Sequence, residues 1–137
     1  MTEKQEPANF PRELRLLTAK AYKQVFAGSS RFGNRHITIL AAENGLAHPR
    51  LGMAVSKKCA KKAVDRNRLK RLVRENFRQH QHTLPAVDLV VMFRPTVLTL
   101  NNALVREQIE LQWHFIQKKI GSPQTVLQKE ENDLQTE

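Results

Sequence analysis

A single cysteine, Cys59, rules out any disulfide within the chain, a usage that fits a reducing cytosol and a cytoplasmic protein. No apolar run approaches the ~18 residues that a membrane-spanning helix needs. The first residues, MTEKQEPANFPREL, lack the apolar stretch of a secretion signal. The five glycines form no phosphate-cradling loop. Acids are scarce, 13 Asp and Glu against 23 Lys and Arg, and they are scattered, where a metal-dependent nuclease needs a carboxylate cluster. Asp65 and Glu75 lie inside a cationic stretch and read as internal ion-pair partners and caps; Glu107 and Glu110 read as a solvated helix face. Cys59 has no CxxC partner and reads as a small semi-buried residue. His80 and His82 make an HxH pair on a polar loop, a weak metal signal. The sequence therefore offers no catalytic residue, no metal site and no cofactor held by the protein itself.

What the chain has is concentrated positive charge. Residues 57–78, KKCAKKAVDRNRLKRLVRENFR, hold ten bases and two acids, a net of +8 out of +10 for all 137 residues. The other 115 residues, with 13 bases and 11 acids, carry only +2. On a helix at about 100° per residue, Leu69, Leu72, Val73, Asn76 and Phe77 fall on one side as a core-facing stripe. Asn67, Lys70, Arg71, Arg74 and Arg78 fall opposite, flanked by Arg66 and Arg68. Val64 does not fit the stripe, so residues 61–64 read as a separate first turn. Like charges at i,i+4 (Arg66/Lys70, Lys70/Arg74, Arg74/Arg78) repel one another. A polyanion that relieves this repulsion, a nucleic acid, explains the pattern better than a solvated face. A membrane-surface helix fits less well, because the apolar stripe is core-like and the segment lacks Trp. Candidate phosphate-contacting residues are Lys57, Lys58, Lys61, Lys62, Arg66, Asn67, Arg68, Lys70, Arg71 and Arg74.

Along the chain, residues 1–9 and 121–137 are polar and read as disordered tails, leaving one domain over residues 10–120. Residues 10–17, FPRELRLL, read as a partly extended arm with Arg12 and Arg15. Thr18 caps a short helix over residues 19–27 that Gly28 closes. Tyr22 and Phe26 share a face of this helix, either as core or as platforms for unpaired bases. Residues 29–35 read as a turn. Residues 36–42 alternate as a strand with Ile37, Ile39 and Ala41 on one face. Asn44-Gly45 marks a turn or hairpin loop. Residues 50–58 form a second strand whose other face (Gly52, Ala54, Ser56) is small, either for close helix packing or as a flat open surface. Pro85 breaks the exit from the basic helix. LVVMF, residues 89–93, is a central strand covered on both faces. Strand, basic helix and returning strand make a βαβ unit. A last amphipathic helix spans residues 101–120 with Val105, Ile109, Trp113, Ile116 and Ile120 near helical spacing.

Arg66-Asn67-Arg68, followed by Lys70, Arg71 and Arg74, resembles the signature of the bacterial ribonuclease P protein subunit. GMAVSKK (residues 52–58) resembles the strand that leads into that motif. FPRELRLL, AYKQVF and DLVVMFRP match the family's other blocks in order. The resemblance covers residues 10–120. It implies an α/β (α+β sandwich) fold of order αβββαβα, with a central mixed sheet and a left-handed βαβ crossover, a hand opposite to the general rule. It further implies a ribonucleoprotein endoribonuclease in which a catalytic RNA performs the Mg²⁺-dependent cleavage. The protein, one per RNA, then aids assembly and holds the 5′ leader of precursor tRNA. On that resemblance, Arg66, Asn67, Arg68, Lys70, Arg71 and Arg74 contact the catalytic RNA or flank the substrate path. Tyr22 and Phe26 line the leader cleft, with Tyr22 where relatives often carry Phe, and Lys57 and Lys58 lie beside it. Two other readings stand alongside: a general RNA-binding module, such as a ribosome-associated protein, and a self-sufficient nuclease.

Overall fold

The computed structural model describes residues 11–121; the polar ends read as disordered tails otherwise lie outside the described residues. The chain orders as α1 (Ala19–Ala27), β1 (Ser30–Gly33), β2 (Ile37–Glu43), β3 (Arg50–Ala54), α2 (Ala63–His80), β4 (Val87–Phe93) and α3 (Asn102–Ile120). This is the αβββαβα order. Short 3₁₀ turns at Arg12–Leu14 and Pro95–Thr99 precede α1 and α3.

Local chemistry sets the ends of the helices. The Thr18 hydroxyl accepts from the Ala21 N–H (3.1 Å) and starts α1. Gly28 closes it through its N–H to the Gln24 carbonyl, at φ −154°, outside the left-handed region. The Asn101 side chain caps α3 by accepting from the Leu104 N–H. α2 starts after Lys62, whose side chain makes no capping bond. Asp65 stands in its first turn, where the helix dipole favours an acid.

The four strands form one mixed sheet in the order β1-β2-β4-β3, with β3 and β4 parallel and the other pairs antiparallel. Two expectations are corrected here, at residues 29–35 and at the end of β3. Residues 29–35 are not simply a turn: Ser30–Gly33 pairs with β2 as an edge strand anchored by buried Phe32. One apolar residue in four is too short a pattern to show a period. Only residues 34–36 turn, through the Asn34 side-chain oxygen, which accepts from the N–H groups of His36 and Ile37. Asn44-Gly45 does turn, with Gly45 at φ +68°, but it closes no hairpin. β4 lies between β2 and β3, because its continuous apolar run is satisfied only by cover on both faces and neighbours on both edges. β3 is also shorter than read, and Lys57 and Lys58 occupy a turn beyond it, where Ser56 accepts from the Cys59 N–H.

Helices cover both sheet faces. Ile37, Ile39, Leu51, Leu89 and Val91 meet the buried stripes of α2 (Leu69, Leu72, Val73, Phe77) and α3 (Val105, Ile109, Trp113, Ile116). On the other face, Leu40 and Val90 meet Leu16, Ala21 and Val25. Buried Asn76 joins α2 to α3: its NH₂ donates to Glu110 (2.9 Å) and its oxygen accepts from the Trp113 indole (2.7 Å). Glu110 is thus a structural acceptor, more than part of a solvated face. Phe77 and Trp113 meet edge-on at 6.3 Å. Asp88, buried at the start of β4, accepts a two-pronged bond from Arg50 (2.8 and 2.7 Å) and one from Asn44.

Candidate nucleic-acid interface

Burial of Leu69, Leu72, Val73, Asn76 and Phe77 fixes the roll of α2 and turns Asn67, Arg71 and Arg74 fully to solvent, with Lys70 half-exposed. Lys57, Lys58, Lys61 and Lys62 are exposed on the loop before the helix, and Val64, off the stripe, is 69% exposed. Among the described residues the one ion pair is Arg50–Asp88. The expectation that Asp65 and Glu75 are internal ion-pair partners is therefore corrected: neither reaches a base, and the cationic face stands uncompensated. The i,i+4 repulsion along it meets no compensating acid among the described residues.

Arg66 and Arg68 differ from their neighbours. The Arg66 guanidinium donates to the carbonyls of Ala60 and Lys61, both at 2.8 Å, and pins the lysine-bearing loop to the helix. Arg68 donates to the Asn102 side chain (2.6 Å) and ties α2 to the start of α3. A guanidinium has five N–H donors, so each keeps others for an outside acceptor.

Beside this face opens a groove of about 310 Å³ whose walls include Arg15 and Leu17 of the arm, Tyr22 of α1, Met53 of β3 and Arg74 of α2. Tyr22 is half-buried; its hydroxyl accepts from the Met53 N–H (3.1 Å), and its ring lies where a side chain on Gly52 would stand, 2.8 Å from a Cβ built there. The small-residue face of β3 thus receives α1 closely, and open space remains beyond it. Phe26, one turn on, is 50% exposed, too open for a core anchor. The structure brings Tyr22 and Arg74 to one groove and leaves Phe26 outside its walls. Arg15 and Leu17 were not singled out as site residues. The contacts that place them are long-range, a bridge from Arg15 to Leu51 and the Leu16 N–H to the Leu51 carbonyl (2.8 Å), with no local signal in the sequence.

Among the described residues no three His, Cys, Asp or Glu side chains converge as a metal site. His80 Nδ1 is engaged with the Asn76 carbonyl (2.8 Å). Burial pushes the Cys59 thiol pKa up, away from a reactive thiolate. The hydrogen bonds that Arg50 donates to the Asp88 carboxylate hold the guanidinium pKa above its ordinary value. No described helix is long and apolar enough to cross a membrane.

Comparison with known proteins gives a consistent result. Residues 10–117 match the family model described as Ribonuclease P. The ribonuclease P protein component of Aliivibrio fischeri is 50% identical over 110 residues, 80% of this chain and 94% of that protein. That of Yersinia enterocolitica is 51% identical over 104 residues, 76% of this chain and 87% of that protein. Among solved structures, the RNase P protein of Staphylococcus aureus superposes with a TM-score of 0.71 at 27% identity, covering 74% of this chain and 94% of that one. The RNase P protein of Thermotoga maritima does so at 0.65 and 31% identity, covering 73% and 96%.

Proposed function

The chain belongs to the ribonuclease P protein family, and on that premise we propose that it is the non-catalytic subunit of a cytoplasmic ribonucleoprotein that removes the 5′ leader of precursor tRNA. The solvent face of α2 and the lysine loop before it bind the catalytic RNA, one protein per RNA. The groove beside Tyr22 and Arg74 holds the single-stranded leader, with Phe26 extending the stacking surface. The observation that carries this reading is the uncompensated cationic face of α2 running into a groove that presents an aromatic side chain.

Chemistry follows from what the protein can supply. Its described residues bring no carboxylate cluster together, so in this reading the magnesium ions are held by the RNA, where they supply charge neutralisation and an activated water. The protein's residues neutralise phosphates and hold the leader extended. If about six to ten phosphates are neutralised, affinity falls by ~10³ to 10⁵ between roughly 50 and 200 mM salt. The test is reconstitution with precursor tRNA at low Mg²⁺: protein alone, RNA alone, and both. Cleavage only with both components supports the proposal. Cleavage by the protein alone makes it a nuclease, and no gain from adding protein to RNA makes it a general RNA binder.

A further inference from the structure

A second basic site lies on the opposite side of the sheet from α2. Arg31, Gly33, Asn34, Arg35, Thr38 and Arg94 line a pocket of about 410 Å³. All three arginines are exposed, none is in an ion pair among the described residues, and no carboxylate lines the pocket. Thr38, only 5% exposed, lines the pocket with them. A larger groove at the other end of the sheet has Glu43 and Asp88 in its walls, and its Arg50 is already paired. Of these two, the smaller pocket has arginines outside any ion pair among the described residues, with one bond spent, from Arg35 Nε to His36 (3.4 Å).

The pocket is preorganised. The turn that carries Arg35 is fixed from both sides: Asn34 donates to Gln108 of α3 (2.6 Å), and Thr96 donates to the Arg35 carbonyl (2.6 Å). Gly33 is required there, since a Cβ would stand 2.5 Å from the Ile37 carbonyl oxygen. Arg94 continues β4 in extended backbone. Three guanidinium groups and a hydroxyl around one cavity match a phosphate, with its several acceptor oxygens.

Register ties this pocket to the Tyr22 groove. Arg31 pairs with Leu40, Gly33 with Thr38, Thr38 with Met92, and Ala54 with Met92. Directly paired residues share a sheet face, so Arg31 and Thr38 stand on the face that α1 and Tyr22 cover in part, and Arg35 and Arg94 line the same pocket. Three strand spacings separate the outer strands, about 14 Å. We propose that Arg31, Arg35, Arg94 and the Thr38 hydroxyl form a phosphate pocket for a backbone phosphate of the leader, upstream of the part held beside Tyr22. This rests on the leader reading above and extends it to a second contact point.

The test uses the reconstituted complex and precursor tRNAs whose leaders lengthen one nucleotide at a time. Wild type is compared with Arg31→Ala/Arg35→Ala/Arg94→Ala, and with Arg106→Ala/Lys118→Ala/Lys119→Ala, which removes the same charge from α3. Beyond a threshold length the pocket variant is expected to lose affinity by at least about tenfold, and its salt slope should drop by about one or more. Below that length it should match wild type, and the α3 variant should match at all lengths. Thr38→Val, which keeps shape and removes the hydroxyl, should show a smaller loss at the same threshold. An equal loss at every length, leaderless tRNA included, or the same loss in the α3 variant, overturns the pocket. If wild type itself gains nothing from a leader, the leader reading falls; if wild type gains and the pocket variant gains equally, only this inference falls.

Discussion

Replacing Tyr22 by phenylalanine removes one oxygen and leaves the ring, which separates anchoring from stacking. The hydroxyl is the acceptor for the Met53 N–H at 3.1 Å. Met53 is only partly buried, so water can reach the vacated donor and the loss stays near the net worth of one hydrogen bond, about 1 kcal/mol. Tyr22→Ala also removes the ring packed over Gly52. For a half-buried aromatic that costs about 2–3 kcal/mol of stability, below the ~3–5 of a fully buried one. In binding, loss of the ring costs about 1–3 kcal/mol per stacked base. Gly52→Ala reaches the same place from the other side, because the new Cβ would displace the ring from 2.8 Å. The assay is a melt of each variant, with titrations of the reconstituted complex against precursor and mature tRNA. Tyr22→Phe should keep precursor affinity; Tyr22→Ala and Gly52→Ala should lose it while mature tRNA binds as before. Phe26→Ala, on a half-exposed ring, should lose precursor affinity with little change in melting temperature. If Tyr22→Phe loses as much as Tyr22→Ala, or if both tRNAs lose equally, the stacking argument is refuted.

Arg71→Ala should impair assembly with no thermal cost, since its side chain is exposed and has no partner among the described residues, whereas Leu72→Ala, at 1% exposure, should cost about 2–5 kcal/mol in a denaturant melt. Arg68→Ala should do both, losing about 1–3 kcal/mol with its bond to Asn102; equal destabilisation by all three would refute the face assignment. A log–log plot of RNA affinity against salt should be steep, and a nearly flat plot would remove α2 as the binding surface. Asp88→Ala leaves Arg50 and Asn44 without their shared acceptor and should destabilise by about 3 kcal/mol, the low end for breaking a buried pair, seen as a shifted urea midpoint. Burial holds the Cys59 thiol pKa above its unfolded value, so the neutral form favours the fold. That contribution is full below the ordinary thiol range and is lost as pH rises through the folded value. A thiol reagent should label native Cys59 slowly and urea-unfolded protein fast.

The basic helix was legible because two local signals coincide within it. The apolar spacing of Leu69, Leu72, Val73 and Phe77 gave its roll, and the charge count gave its opposite face. β2, β4 and α3 were legible for the same reason, each having a period or an apolar run of its own. What the sequence could not show depends on distant partners. Ser30–Gly33 became a strand because β2 offers it an edge and the core accepts Phe32. β4 inserted between β2 and β3, which no reading of Asn44-Gly45 contains. The groove assembles Arg15, Tyr22 and Arg74, separated by up to 59 positions, and only the packing of α1 over Gly52 aligns them.

The motif residues divide their labour in a way that spacing alone conceals. A helical wheel already puts Arg66 and Arg68 at the flanks of the cationic face, away from Arg71 and Arg74, but charge and angle are all that it records, not what a flanking side chain reaches. In the fold they lie at the flanks of the cationic face, within reach of the backbone of residues 60–61 and of α3, and they bond there. Those bonds tie the loop that carries Lys61 and Lys62 to α2, and tie α2 to the start of α3. A row of cations acts on a phosphate backbone only if its members keep register with it, and flexible lysines on an unpinned loop would lose that order on binding at an entropic cost. On the proposed reading, two arginines that tie the loop and α3 to α2 therefore support the phosphate contacts assigned to the other four residues of the motif, and each guanidinium keeps donors of its own.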